Sequence, residues 1–488
     1  MPISTSPKGV KIIGLVIACI LVLSAIWYHD SDAVCRLSRG QFCLDQHQPL
    51  EVVHNRYAFK HRNVAFSTTF VLHFDVWLAV TWTLQRVWKL QGVEGGSMQA
   101  YAQTPYAHGF QEISDQLGLY YGSVKDYQAI IADLKANEGD GGIDMVILGT
   151  AIYDLPHYGK GLVEAWDARD DAHKFAVVGI VHDAADTAWL ELFAPLARRG
   201  ALRLLPISDH VTRALQGFLK TFAASPDPVF RSAGYEHVLV DTHVPILNIS
   251  TPTRHHLGRL SNAVIQGTFD PSVRGFDRIF QDLVRAIHDD PQLWGYITPA
   301  YDSPSFVEDK DVADPFKLHI VGHGWLDRPV ELKNIVVFHD NLGYSEFYDT
   351  MASMDVCMPA FHHDGPYYSR KASSTVVMCS QVNTPMLVTQ RFRDSYSYLD
   401  DDRVLVTHPA AMSEIDAIKA LRTGDASDFL ASDPSGSGFT MGTHSAVRHA
   451  VEDMLRKGWV RPKSGFDEWK QDVWAKNDDA LTRILSDM

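Results

Sequence analysis

Apolar and polar positions along this chain fall into two successive series. In the first, short apolar runs (Val64 to Phe70, Ile143 to Thr150, Phe175 to Asp183, Leu202 to Ser208) alternate with stretches of helical period. Those stretches are His73 to Trp88, Val124 to Asn137, Gly161 to Arg169 and TAWLELFAPLARRG. Runs that are apolar throughout, and not only at every second residue, predict strands covered on both faces, hence a parallel sheet between helices. The Gly- and Tyr-rich stretch GVEGGSMQAYAQTPYAHGF predicts a loop. From Glu236 to Arg254 the helical pattern stops and two prolines intervene, which marks a linker.

The second series begins with a strand at Asn262 to Phe269 and the helix GFDRIFQDLVRAIHDD. Strands at Phe316 to Gly324 and Asn334 to Asp340 follow, then the helix YSEFYDTMASM. Met354 to Gln390 then reads as a strand (Asp355 to Phe361), a polar loop, a helix opening at Ser373, Ser374 and Thr375, and a strand after Pro385. Val404 to Pro409 and a helix from Met412 continue the pattern. A Ser-, Gly- and Asp-rich surface loop and two amphipathic helices end the chain. The fold class expected is α/β, with two Rossmann-like doubly wound domains at 56–250 and 251–425 and a loop with C-terminal helices at 426–488.

Ahead of both series, Ile12 to Tyr28 is uninterruptedly apolar, with Lys8 and Lys11 before it and His29, Asp30 and Asp32 after it. Lysines on one side and acids on the other predict a transmembrane signal-anchor within residues 1–30, a cytoplasmic N-terminus, a stem at 31–55 and a lumenal body. That is a single-pass type II membrane protein of the Golgi or ER. A cleaved signal peptide is the alternative, and it also sends the body into the secretory pathway.

With 488 residues, 46% of them hydrophobic, there is apolar material for two domains. A net charge of -15 argues against nucleic acid as a partner and requires any anionic ligand to be held by local donors. Of five cysteines, Cys19 is in the apolar run, Cys35 and Cys43 are placed to pair just beyond it, and Cys357 and Cys379 are expected as buried thiols. No Cys/His spacing resembles a zinc site, and adjacent His362, His363 and Asp364 point apart. Asn248-Ile249-Ser250 is a glycosylation sequon.

The segments VIQGTFDPSVRGFDRIFQDL, LHIVGHG, NIVVFHDNLGYSEFYDTMASMDVCMPAF and KASSTVVMCSQVNTPMLV, in that order, resemble the donor-binding C-terminal domain of GT-B glycosyltransferases. The resemblance is nearest to the retaining, group 1-like members. VVGIVHD and RLLPISDHV resemble strands of their N-terminal domain. The resemblance implies a metal-independent hexosyl or related transferase that needs no cofactor. Its nucleotide-sugar is a co-substrate, and its acceptor is a glycan, glycoprotein or lipid.

Residue by residue, the resemblance places Gly267 at the glycine turn beside the donor diphosphate. Thr268 stands where many members have arginine, and Arg274-Gly275 occupies the basic-glycine position, where a guanidinium clamps phosphate. Lys371, Ser373, Ser374 and Thr375 fall at the diphosphate-binding helix start, where hydroxyls serve equally as ordinary caps. His182 and Asp183 end a cleft strand and imply the catalytic, acceptor-side pair; His73 and Asp75 are a weaker one.

One departure stands out. Where the family usually binds the donor ribose with a glutamate, this chain has Met378, and the paired position is Arg370. Asp364, Tyr367, Tyr368, Arg370 and Lys371 are the candidates to substitute. The alternative function is therefore a catalytically degenerate GT-B protein acting as a glycan-binding or scaffold partner.

Overall fold

The structure is a computed structural model and describes residues 63–91, 96–184, 187–250, 258–298, 304–436 and 438–486. The Ile12 to Tyr28 run, the stem and Cys19, Cys35 and Cys43 lie outside these residues. Among the described residues no helix is long and apolar enough to cross a membrane.

The first half forms a parallel sheet of seven strands: β1 (Asn63–Ser67), β2 (Ser97–Tyr101), β3 (Val124–Lys125), β4 (Met145–Leu148), β5 (Ala176–Val181), β6 (Leu202–Pro206) and β7 (Leu239–Val240). Their order is β3-β2-β1-β4-β5-β6-β7. Every residue of β4 and β5 is buried, as expected of strands covered on both faces. The helices between them are α1 (Phe74–Gln91), α2 (Phe110–Leu117), α3 (Ile130–Ala136), α4 (Ala151–Ala168), α5 (Thr187–Ala197) and α6 (Asp209–Ala223).

Three expectations are corrected here. The stretch expected as a Gly- and Tyr-rich loop contains β2 and ends on the first residue of α2. The sequence SMQAY is short, low in β-branched residues and follows a run of glycines, but it pairs residue for residue with β1, so backbone pairing overrides weak propensity. The helix expected from Val124 begins as strand β3, and Asp126 then accepts from Gln128 N (2.8 Å) before α3 starts. Finally, α4 starts at Ala151, well before Gly161. Pro156 and Gly159 obscure its first turns, which Asp154 ties down by accepting from Thr150 N (2.8 Å).

The second half forms a six-stranded parallel sheet of β8 (Asn262–Phe269), β9 (Lys317–Gly324), β10 (Val336–Asp340), β11 (Val356–Cys357), β12 (Met386–Val388) and β13 (Leu405–Thr407), in the order β10-β9-β8-β11-β12-β13. Its helices are α7 (Phe276–Asp289), α8 (Tyr344–Ala352), α9 (Ser374–Gln381), α10 (Glu414–Thr423), α11 (Ser445–Lys457) and α12 (Lys463–Ser486). In both sheets the strand order reverses beside the first strand. The topological switch points therefore lie between β1 and β4 and between β8 and β11. This α/β architecture of two parallel sheets is consistent with the expected two-domain GT-B fold.

Helix α9 has no solvent-facing stripe, because Thr375 through Gln381 are all buried, and its polar members bond inside the protein, Ser380 Oγ to Val376 O (3.0 Å) among them. A helix buried on every side belongs in an interior, and α9 has α8, the linker and α12 about it. Leu247 N donates to Gln381 Oε1 (2.7 Å), and Lys470 Nζ on α12 donates to Gln381 O (2.7 Å) and Asn383 Oδ1 (2.8 Å). The same α12 reaches the first half. Trp474 Nε1 donates to Ile246 O (2.8 Å), Asn477 bonds both backbone groups of Val244, and Trp474 meets Trp82 of α1 edge-on at 5.2 Å. One apolar core consequently runs through α1, α8, α9 and α12. Cys357 and Cys379, expected as free thiols, form a disulfide that joins β11 to α9.

Candidate donor and acceptor crevices

At the switch point of the second sheet, the chain leaves β8 at Gly267 and leaves β11 through Pro359 and Ala360. Ala360 sits at φ +54, in the left-handed region, and its carbonyl accepts from Gly275 N (2.9 Å). That contact sets the start of α7 against the crevice and delivers Arg274 into it. Arg274 is 3% exposed. Its Nη2 donates to Thr375 Oγ1 (2.8 Å), its Nη1 donates to Pro359 O, and its Cζ lies 5.4 Å from the Phe361 ring centroid. Thr375 Oγ1 in turn donates to Gln266 O (2.7 Å). Gly267, at φ +131, permits this packing: a Cβ there would stand 2.3 Å from Arg274 Nη2.

Gly267, Arg274 and Thr375 thus meet at one point, although Arg274 and Thr375 are far apart in sequence. Burial lowers the Arg274 pKa to about 10, so the group stays charged at neutral pH. Its Nε, Gln266 Oε1 and the Tyr396 hydroxyl are buried without a hydrogen-bond partner among the described residues. Buried polar atoms are rarely left so, and each calls for an explanation. Ser373 is the buried cap residue of α9 but makes no side-chain cap bond, while Ser374 is exposed. Met378 is buried in the core, where Gln381 Nε2 lies 3.5 Å from its sulfur.

Lys371 is not part of that cluster. It belongs to a strap, residues 370–372, that pairs with the end of β5. Ala184 N donates to Arg370 O (2.8 Å), Ala372 N donates to His182 O (2.9 Å), and His210 Nε2 donates to Lys371 O (2.9 Å). Asp183 faces Arg370 Nη1 at 3.1 Å and Lys371 Nζ at 3.9 Å. The carboxyl ends of the two sheets are joined here. Asp183→Asn is expected to cost about 0.5–1 kcal/mol, since the pair is partly solvated, and to cost less at high salt. Urea midpoints at low and high salt check this.

At the switch point of the first sheet, Asp154 is fully buried and accepts from Thr69 N (2.7 Å), Thr69 Oγ1 (2.8 Å) and Thr150 N. Burial outweighs these bonds and raises its pKa to about 6. His73 Nδ1 lies 3.2 Å from Thr150 Oγ1, and His73 stacks on His182 with ring centroids 4.1 Å apart. Burial lowers the His182 pKa to about 4 and that of His73 well below its usual value. Both rings are therefore neutral at pH 7. Asp75 is not beside His73's partners; it is buried where α1 meets Tyr344 and Tyr348 of α8.

No family model matches the chain, and no curated protein matches it. Solved structures that it resembles include the lipopolysaccharide outer core galactosyltransferase WaaB in apo form, at 10% identity over 85% of this chain and 99% of that one, with a TM-score of 0.39. Another is an alpha-glucosyltransferase (AGT) in complex with UDP, at 11% identity over 85% and 99% of the two chains, with a TM-score of 0.44. A third comes from the GtfA/B complex, at 11% identity and a TM-score of 0.36; the chain covers 60% of that protein, with 72% of its own length matched.

Three residues of the site escaped the sequence reading. His210 sits just after the strand run RLLPIS, where nothing in the pattern marks it. Its Nδ1 accepts from Ser208 Oγ (2.9 Å) while Nε2 holds the strap. Gln266 precedes the glycine turn within an apolar strand. Tyr396 lies in a stretch without period, and its burial beside Phe392 (ring centroids 4.6 Å apart) comes from tertiary packing alone.

Proposed function

We propose that this protein is a glycosyltransferase that moves a sugar from a nucleotide-sugar to a glycan, glycoprotein or lipid acceptor. The observation that carries this reading is Arg274, a buried guanidinium held against Gly267 and Thr375 at a sheet switch point with its Nε unpartnered. Such crevices outside the carboxyl ends of parallel strands are where doubly wound sheets bind ligands, and a helix N-terminus with hydroxyls favours anions. A donor diphosphate there would take Arg274, the Ser373 and Ser374 hydroxyls and the Thr375 backbone N–H as its donors, with Lys371 on the adjoining strap as a nearby positive charge.

In the reaction, the acceptor oxygen bonds to the anomeric carbon as the bond from that carbon to the diphosphate oxygen breaks. The electron pair leaves with the diphosphate, whose growing charge Arg274 and the α9 start stabilise. The acceptor proton passes to that departing oxygen. Retention without a protein base fits Asp183, which is held by Arg370 and Lys371. His182, neutral, orients the sugar or the acceptor hydroxyl. The apolar run with its flanking lysines supports a type II membrane anchor and a lumenal body. The Cys357–Cys379 disulfide supports an oxidising compartment.

One observation favours a catalytically degenerate binding protein instead: both Arg274 Nη atoms are engaged by the protein itself, and Met378 is buried where a ribose ligand is expected. Thermal unfolding with UDP, GDP, UDP-glucose and GDP-mannose separates the two. At a hundredfold excess over Kd, a bound nucleotide adds about 2.7 kcal/mol, which for a chain of this length raises Tm on the order of 2–3 °C. A flat response to every nucleotide would sink the transferase reading.

A further inference from the structure

A continuous row of rings leads from the surface of the first half to the end of β5. Tyr153, in the first turn of α4, lies face to face with Phe70, ring centroids 4.5 Å apart and planes 8° apart. Phe70 meets His73 edge-on at 4.5 Å, and His73 stacks on His182 at 4.1 Å. The outer end is open: Tyr153 is 52% exposed, and Val71 and Leu72 beside Phe70 are 37% and 44% exposed. The inner end is His182, the neighbour of the Asp183 that meets the strap.

The chemistry of this row is specific. It carries no charge, since both imidazoles are neutral and Asp154 is turned inward onto Thr69 and Thr150. Yet it offers hydrogen-bonding atoms at intervals, in the Tyr153 hydroxyl and the two imidazoles. His182 Nε2 points to Gly149 O at 3.5 Å, which leaves Nδ1 as the acceptor nitrogen of a neutral ring. A lipid chain would leave these polar atoms unpaired, and the cations nearest an anionic ligand, Arg370 and Lys371, are already paired with Asp183. A ligand of apolar C–H faces edged with hydroxyls satisfies both halves of the row, because the outward face of Tyr153, the one not stacked on Phe70, takes an apolar face and the polar atoms take the hydroxyls.

We infer that this row is the binding groove for an uncharged oligosaccharide, with Tyr153 as its outer subsite and His182 holding the terminal unit. The assignment of that oligosaccharide as acceptor rests on the transferase reading; its binding does not. Full-length protein in mild detergent is run through native gels containing mannan, amylose, xylan or a β-glucan, with polygalacturonate as the anionic arm. The expected result is retardation by at least one neutral polysaccharide. Tyr153→Ala should weaken it about tenfold, the value of one lost ring contact of this kind. Tyr153→Phe, which keeps the ring and loses one hydroxyl, should weaken it less than Tyr153→Ala, and Tyr121→Ala, at a still more exposed tyrosine elsewhere (84%), should retain it in full.

The inference is overturned if no neutral polysaccharide retards the protein, if Tyr153→Ala is retarded as strongly as the parent, or if only the anionic arm is retained. The nucleotide titration keeps the two readings apart. Tyr153-dependent retardation without any nucleotide response keeps the groove and removes the transferase. A nucleotide response without retardation does the reverse.

Discussion

Arg274→Met is expected to leave a folded protein that has lost its affinity for nucleoside diphosphates about a hundredfold. The two halves of that expectation have different causes. For stability, methionine fills much of the same space, and removing a buried cation relieves the desolvation that lowers its pKa to about 10. Against this, Pro359 O loses its donor, at about 1–3 kcal/mol for an orphaned buried group. Replacing a buried ion by an apolar side chain of similar shape is often close to neutral, so a net loss of about 1–2 kcal/mol is expected. For binding nothing offsets the change, since a charge-assisted bond to phosphate contributes about 1.5–3 kcal/mol and a forked contact more than a single one. Arg274→Lys, which keeps charge but loses the fork, should fall between. Urea unfolding and calorimetric titration with UDP and GDP measure the two terms separately. An unchanged Kd in a folded Arg274→Met protein would remove Arg274 from the donor site.

The reasons that Arg274, Gly267 and Thr375 could be picked from sequence, and the contacts among them could not, are physical. Strands such as β4 and β5 are legible because burial on both faces makes them apolar throughout. A basic-glycine pair at a helix start is legible as a local pattern. Strand β2 was invisible because SMQAY owes its conformation to pairing with β1. Thr375 could be read as a helix-start hydroxyl, but not as one already committed to Gln266 O and Arg274, since those contacts depend on how β8 and α9 stack. The strap pairing of His182 to Ala184 with Arg370 to Ala372 joins distant segments through backbone groups, which carry no sequence signature. The link between Cys357 and Cys379 was missed for a similar reason: connectivity is not deducible from cysteine positions alone.

Asp75→Asn is expected to stabilise the protein, and only above acidic pH. Asp75 is in the first turn of α1, 6% exposed, and packed toward Tyr344 and Tyr348 of α8. Burial raises its pKa from 3.8 to about 7, although the backbone N–H groups of Asp75 and Val76 favour the charged form. A raised acid binds its proton more tightly folded than unfolded. Its contribution to stability is therefore complete below about pH 4 and is lost as pH rises to about 7. At about 1.36 kcal/mol per unit of pKa, the loss is about 4 kcal/mol at most. Asparagine keeps the shape and cannot ionise, so the variant should match the parent at pH 4, diverge through pH 5 and 6, and hold a constant advantage above pH 7. The buried histidines act in the opposite sense: His182 near 4, His243 near 3 and His319 near 4 penalise the folded state as pH falls below their unfolded value. Their effect is common to both proteins and cancels in the difference between them. Urea midpoints for both across pH 4 to 8 therefore isolate Asp75, and a difference that stays flat with pH would mean its carboxyl is not the buried acid where α1 meets α8.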